Sequence, residues 1–139
     1  MGKLEIILTG RIPSKKNSKQ WIFRGGRKFL VPSANYSIWH EEKMWELKKY
    51  INCVKSPITR CQIDITIFFP DNIKSDLSNK AESIMDLLVD AIVLEDDNHK
   101  VCHDLHLISG GVDKENPRAI IIINYENDIT AAPKSGTES

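Results

Sequence analysis

Acidic side chains crowd one stretch of this 139-residue chain. Between Asp71 and Asp97 stand eight of them: Asp71, Asp76, Glu82, Asp86, Asp90, Glu95, Asp96 and Asp97. Only Lys74 and Lys80 lie among them. Carboxylates are hard oxygen ligands, and Mg2+ is held by one or two of them together with water and substrate phosphate. Such an ion activates water and neutralises charge on a phosphate under attack. The chemistry this stretch suggests is metal-assisted phosphodiester hydrolysis. Glu82, Asp86 and Asp90 recur every four residues and so stack on one helix face. Like charges at that spacing repel by about 0.2–0.5 kcal/mol per pair, which a solvated face tolerates or a cation relieves.

Opposite charge collects elsewhere. Residues 1–60 hold 13 Lys and Arg against 4 acids, and residues 61–139 hold 6 against 15, so a formal net charge of zero conceals a split. Seven basic residues fall in residues 11–28: Arg11, Lys15, Lys16, Lys19, Arg24, Arg27 and Lys28. They are interleaved with Trp21 and Phe23. Basic loops with aromatic neighbours suit nucleic-acid backbones. For Trp21 and Phe23 themselves, the preferred reading is core packing within a hairpin. His99, His103 and His106 gather near Cys102, but their spacing fits no standard zinc site. His99 stands near enough to Asp97 in sequence to tune it. No Ser-His-Asp or Cys-His nucleophile can be argued, and Gly25-Gly26 and Gly110-Gly111 read as turns rather than phosphate loops.

These residues need elements to position them. Residues 3–9 alternate loosely as a strand, and residues 20–31 read as two short strands around Arg24-Gly25-Gly26-Arg27, a hairpin. Ser33 is a candidate helix N-cap. A helix over 34–52 presents Tyr36, Trp39, Met44, Leu47 and Ile51 inward, with Lys43 set aside. Residues 61–69, CQIDITIFF, form the clearest strand. A second helix spans 79–93, with Ile84, Leu87, Leu88, Ala91 and Ile92 inward. Asn79 and Glu82 have the spacing of a capping box at its start, which leaves Asp76 in the preceding loop. Residues 100–108 and 118–125 read as strands. The order β-β-β-α-β-α-β-β indicates a single α+β domain, a mixed or antiparallel sheet with two main helices packed on it. If the strand ending near Phe69 neighbours the one beginning near Val101, Asp76 and Asp97 lie near the same sheet edge. The apolar run 119–123 is read as core rather than as an interface.

Length and composition bound the rest. A chain of 139 residues fits one domain by the usual allowance of about 100–200 residues each. With 41% hydrophobic and 27% charged residues, wholesale disorder is excluded. No apolar run reaches the roughly 20 residues that span a bilayer. The first residues lack a signal-peptide cleavage pattern. Three cysteines, Cys53, Cys61 and Cys102, with no CxxC pair, fit a reducing, cytoplasmic setting. Residues 126–139 read as a flexible tail behind a domain over 1–125.

Taken together, the motifs resemble the RusA family of Holliday junction resolvases. They are Pro13-Ser14-Lys15-Lys16-Asn17, then Asp76-Leu77-Ser78-Asn79, the helical Asp86-Leu87-Leu88, and Asp96-Asp97. Their order and spacing match the family over roughly residues 10–125. The resemblance implies a small homodimeric, Mg2+-dependent endonuclease, often prophage-borne, that nicks four-way DNA junctions symmetrically in recombination and repair. It also implies that Asp76 and Asp97 are two of three family acids. The third falls at Ser78, and a family lysine in the helix falls at Glu82, which is read as supplying the missing carboxylate. Catalysis is thus assigned to Asp76, Asp97, Glu82 and Lys80, and metal binding to Asp76, Asp97, Glu82 and Asp96. Asp86 is a further acid of the helix face. Lys80 would assist the leaving oxygen or anchor a phosphate, although its plainer reading is a solvent-facing helix residue. DNA binding is assigned to Lys15, Lys16, Asn17, Lys19, Arg24, Arg27 and Lys28. A two-fold junction needs two active sites, which a C2 dimer supplies.

Two other readings stay beside the nuclease. A junction binder that does not cut is motivated by Ser78 and Glu82. An acidic interaction module is motivated by the Glu82-Asp86-Asp90 face.

Overall fold

The computed structural model describes residues 2–14, 19–32, 34–52, 54 and 57–126. The tail expected at 126–139 lies outside these except for Glu126. Strands β1 (Gly2–Thr9), β4 (Cys61–Phe69), β5 (Cys102–Val112) and β6 (Arg118–Tyr125) form one four-stranded sheet in the order β1-β6-β4-β5. Strands β2 (Lys19–Arg24) and β3 (Arg27–Pro32) form a separate two-stranded ribbon. Helices α1 (Ala34–Ile51) and α2 (Leu77–Asp90) complete a single α+β domain with a mixed sheet. The element order is the one expected from the sequence. Among the described residues no helix is long and apolar enough to cross a membrane.

The main sheet follows from alternation. On β4 the inward set is Cys61, Ile63, Ile65 and Ile67, and on β6 it is Ala119, Ile121 and Ile123. Register aligns Leu4, Ile6 and Leu8 of β1 with those β6 residues on the same face. β-Branched side chains suit this pleated surface. Leu47 of α1 and Ile84, Leu87 and Leu88 of α2 are fully buried in the same core. The core reading of the 119–123 run therefore holds for its odd-numbered positions. Ile120 and Ile122 occupy the other face and are only partly covered.

Several expectations need correction. Helix α2 starts two residues early, at Leu77, and its N-cap is Asp76 rather than Asn79. The Asp76 carboxylate accepts from the Ser78 backbone N–H at 3.1 Å, an interaction that outcompetes a capping box further along. Gly110 and Gly111 make no turn. They lie within β5, where a register shift against Ile67 and Phe68 opens a bulge and Gly111 takes φ +91°. Gly110 sits against the Phe68 ring, where a Cβ would come within 2.6 Å of a ring carbon. Trp21 and Phe23 are 55% and 73% exposed rather than core, because among the described residues nothing packs on their face of the ribbon as a second layer. Lys43 is buried on the inward face of α1 and pairs with Glu46 at 2.7 Å.

Candidate functional site

The decisive geometry is the direction of β5. It neighbours β4 and runs parallel to it, with Cys61 opposite Cys102 and Phe69 opposite Val112. The chain leaves the far end of β4, returns along α2 and re-enters beside the start of β4. Ile58 bridges Leu94, and the Cys61 N–H donates to the Val101 carbonyl at 2.7 Å. Asp76 therefore caps one end of α2, and Asp97 follows the other. Fourteen helical residues separate them, about 20 Å at 1.5 Å per residue. One chain does not bring Asp76 and Asp97 to a common sheet edge, because a parallel neighbour starts where its partner starts.

At the first end, the Ser78 hydroxyl donates to the Asp76 carboxylate at 2.7 Å, so both Ser78 donors hold the same oxygen. Arg11 reaches Asp71 at 3.5 Å nearby in the chain's path. Lys80 is buried, not solvent-facing: its Nζ donates to the Ile12 carbonyl at 2.6 Å. Burial first, and then the Arg11 charge, lower its pKa from the ordinary lysine value. The Ser83 hydroxyl donates to the Pro13 carbonyl at 2.6 Å. Two α2 side chains thus pin the segment that leads to Lys15, Lys16 and Asn17, which lie outside the described residues together with the Lys19 side chain. Glu82 is exposed on α2.

At the second end, Asp96 accepts from the Asp97 N–H at 2.8 Å and from the Asn98 side-chain amide at 3.0 Å. The first of these, then the second, hold its carboxyl below the usual carboxylate range. Residues Glu95 to Lys100 are all exposed, so Asp97 and His99 face solvent in this turn. His106 lies between Asp64 at 3.2 Å and Asp104 at 2.9 Å, not in a zinc set with His99 and His103. Cys61 and Cys102 are free thiols paired across β4 and β5. A hydrogen bond from Cys61 draws the Cys102 thiol down to about 7 and pushes Cys61 up.

A third group was missed from sequence. Asp86 and Asp90 face His40 of α1, whose Nε2 stands 2.8 Å from Asp90 Oδ2 and 3.7 Å from Asp86 Oδ2. The Tyr36 hydroxyl donates to Asp86 Oδ2 at 2.9 Å. Burial first, and then this bond, push the Tyr36 pKa well above the ordinary tyrosine value. The available signal was the i,i+4 spacing of Tyr36 with His40 and of Asp86 with Asp90, but nothing local says that these two faces meet.

The ribbon carries the described part of the basic set. Arg24 and Arg27 flank its turn, both exposed, and Lys28 Nζ lies 4.3 Å from the centre of the Trp21 ring. By register Trp21 and Phe23 share one face of the ribbon with Lys28, and Phe29 shares the other with Arg24 and Arg27; all six are exposed.

No family model matches the chain. Among curated proteins it is similar to a crossover junction endodeoxyribonuclease RusA from Aquifex aeolicus (strain VF5). The two are 27% identical over 100 residues, which cover 70% of this chain and 75% of the relative. The resemblance carried by the motifs is therefore matched by a likeness along most of the chain.

Proposed function

From that likeness we propose that the chain is an endodeoxyribonuclease acting on four-way DNA junctions, as a homodimer that uses Mg2+. The observation that carries the reading is the similarity to RusA over 100 residues. It is supported by the basic, aromatic ribbon and by the acids at both ends of α2. In this reading Asp76 and Asp97 are the principal ligands, with Glu82 and Asp96 beside them. Exposed carboxylates fit an oxygen-seeking ion, and bound Mg2+ would supply water activation and charge neutralisation at the phosphate. Because Asp76 and Asp97 lie at opposite ends of α2, a shared ion takes Asp76 from one copy and Asp97 from a second. A C2 dimer then holds two such sites, one for each strand to be nicked. Lys80 is a positioning residue here: it holds Ile12, and through it the segment carrying Lys15, Lys16 and Asn17, beside α2. Arg24, Arg27, Lys28 and Lys19 contact backbone phosphates.

A second reading, junction binding without cutting, draws on Ser78. It stands where the family has an acid, and its hydroxyl occupies an Asp76 oxygen.

The test is cleavage of a synthetic four-way junction beside a linear duplex of the same sequence. It is run with Mg2+, with chelator, and with Asp97→Asn. Paired nicks in the junction alone, lost with chelator and with the substitution, are expected. Retarded but uncut junction would transfer the reading to the binder. Neither retardation nor cutting would refute both.

A further inference from the structure

Two aspartates one turn apart repel each other, yet Asp86 and Asp90 are held on one side of α2 with an imidazole between helices. His40 Nε2 and one oxygen of each carboxylate lie within 4.8 Å of one another. Ligand atoms about 2.0–2.2 Å from a common ion stand roughly 3–3.5 Å apart from each other. The distances of 2.8 and 3.7 Å from His40 to the two acids bracket that range, so small rotamer adjustments would close a coordination sphere. The Tyr36 hydroxyl donates to Asp86 Oδ2, the oxygen facing His40, and so fixes that carboxylate, as outer partners of metal-bound carboxylates do. A cavity of about 630 Å3 opens over the group between the two helices, lined also by Met44 and Trp45, and leaves room for further ligands.

We propose that His40, Asp86 and Asp90 form a divalent transition-metal site joining α1 to α2. One imidazole nitrogen with two carboxylates suits Zn2+, a borderline ion, and admits the harder Mn2+, in preference to Mg2+ or Ca2+, which prefer oxygen alone. Three protein ligands leave a position open to water or an anion from the cavity. The site shares no residue with Asp76, Asp97, Glu82 or Asp96, and it does not depend on the chain cutting DNA.

The competing arrangement is an ion pair, protonated His40 against the two acids, with no metal. Calorimetric titration of the chelator-treated protein with Zn2+, Mn2+ and Mg2+, without DNA, separates the two. One Zn2+ or Mn2+ per chain that excess Mg2+ does not displace, with a rise in melting temperature, is expected. His40→Ala and Asp90→Asn should each weaken that binding at least tenfold, and Tyr36→Phe by about tenfold. Asp76→Asn and Asp97→Asn should leave this Mg2+-resistant binding unchanged. Co2+ serves as a second readout, giving visible absorption that His40→Ala removes, and metal-free melting curves establish that each variant is folded. Absence of Zn2+ and Mn2+ binding at millimolar concentration overturns the proposal. So does binding that persists in folded His40→Ala, or that follows Asp76 and Asp97 instead.

Discussion

At the residue scale, two positions carry costs that the fold tolerates. Ile92 follows α2 with φ 62°, and its N–H donates to the Val89 carbonyl at 3.0 Å. The left-handed conformation costs an L-residue roughly 1–2 kcal/mol, and glycine is the usual occupant just past a helix. Ile92 is 59% exposed, so little packing opposes its removal. Ile92→Gly should therefore raise unfolding free energy by about 0.5–1 kcal/mol in urea titration, after the loss of chain entropy is counted. A destabilised variant would show that the side chain matters more than the backbone. Lys80 is the second position. Removing its ammonium leaves the buried Ile12 carbonyl unsatisfied, at about 1–3 kcal/mol, so Lys80→Ala should lower stability by that much at neutral pH. Its pKa is lowered in the native state, so as pH rises the folded protein releases this proton before the unfolded chain does. The unfolded state then binds more protons, and this group's contribution to stability rises with pH up to its unfolded value. The stability gap between the parent and Lys80→Ala should widen in alkali. A gap that narrows would contradict the assigned environment.

At the element scale, the ribbon of β2 and β3 is the unusual piece. An isolated two-stranded hairpin is marginal in water, and this one exposes Trp21 and Phe23 with Lys28 on one face and Phe29 with Arg24 and Arg27 on the other. Aromatic faces stack on unpaired bases, and cations follow the backbone. Trp21→Ala combined with Phe23→Ala should weaken junction binding tenfold or more while moving the melting temperature little. Arg24→Ala with Arg27→Ala should reduce the salt dependence of binding by about one ion per lost phosphate contact. Binding is read by retardation across a salt series, and stability by calorimetry. A collapse in melting temperature with the aromatic pair would mean that those rings support the fold.

At the scale of the whole molecule, the β4–α2–β5 unit governs how acids can cooperate. It separates Asp76 and Asp97 by the length of α2, so only assembly can bring them to one ion. Mixing Asp76→Asn with Asp97→Asn chains tests this. If each site takes one acid from each copy, a mixed dimer contains one site with both acids intact and one with neither. Nicking of one strand per junction should then return on mixing two inactive variants. No recovery, in dimers shown by mass spectrometry to have exchanged, would refute the shared arrangement and leave each acid to work within its own chain.

Much of this architecture was legible in the chain itself. Period-two alternation at 61–69 and the isoleucines of 118–125 specify strands and their inward faces, because side-chain direction along a strand is a local property. The same holds for the helical spacing of Leu47, Ile84, Leu87 and Leu88, and the RusA-like motifs are readable at that level too. Strand direction is not local, since parallel and antiparallel strands alternate in the same way. The pairing of β5 with β4 therefore had to come from the tertiary structure, and with it the separation of Asp76 from Asp97. Tertiary contact also decided that Lys80 is buried against Ile12, that Trp21 and Phe23 are exposed among the described residues, and that His40 meets Asp86 and Asp90. In the pairing of β5, the burial of Lys80 and the meeting of His40 with Asp86 and Asp90, the deciding partner lies about 40 or more residues away, and no local pattern of residue types encodes it.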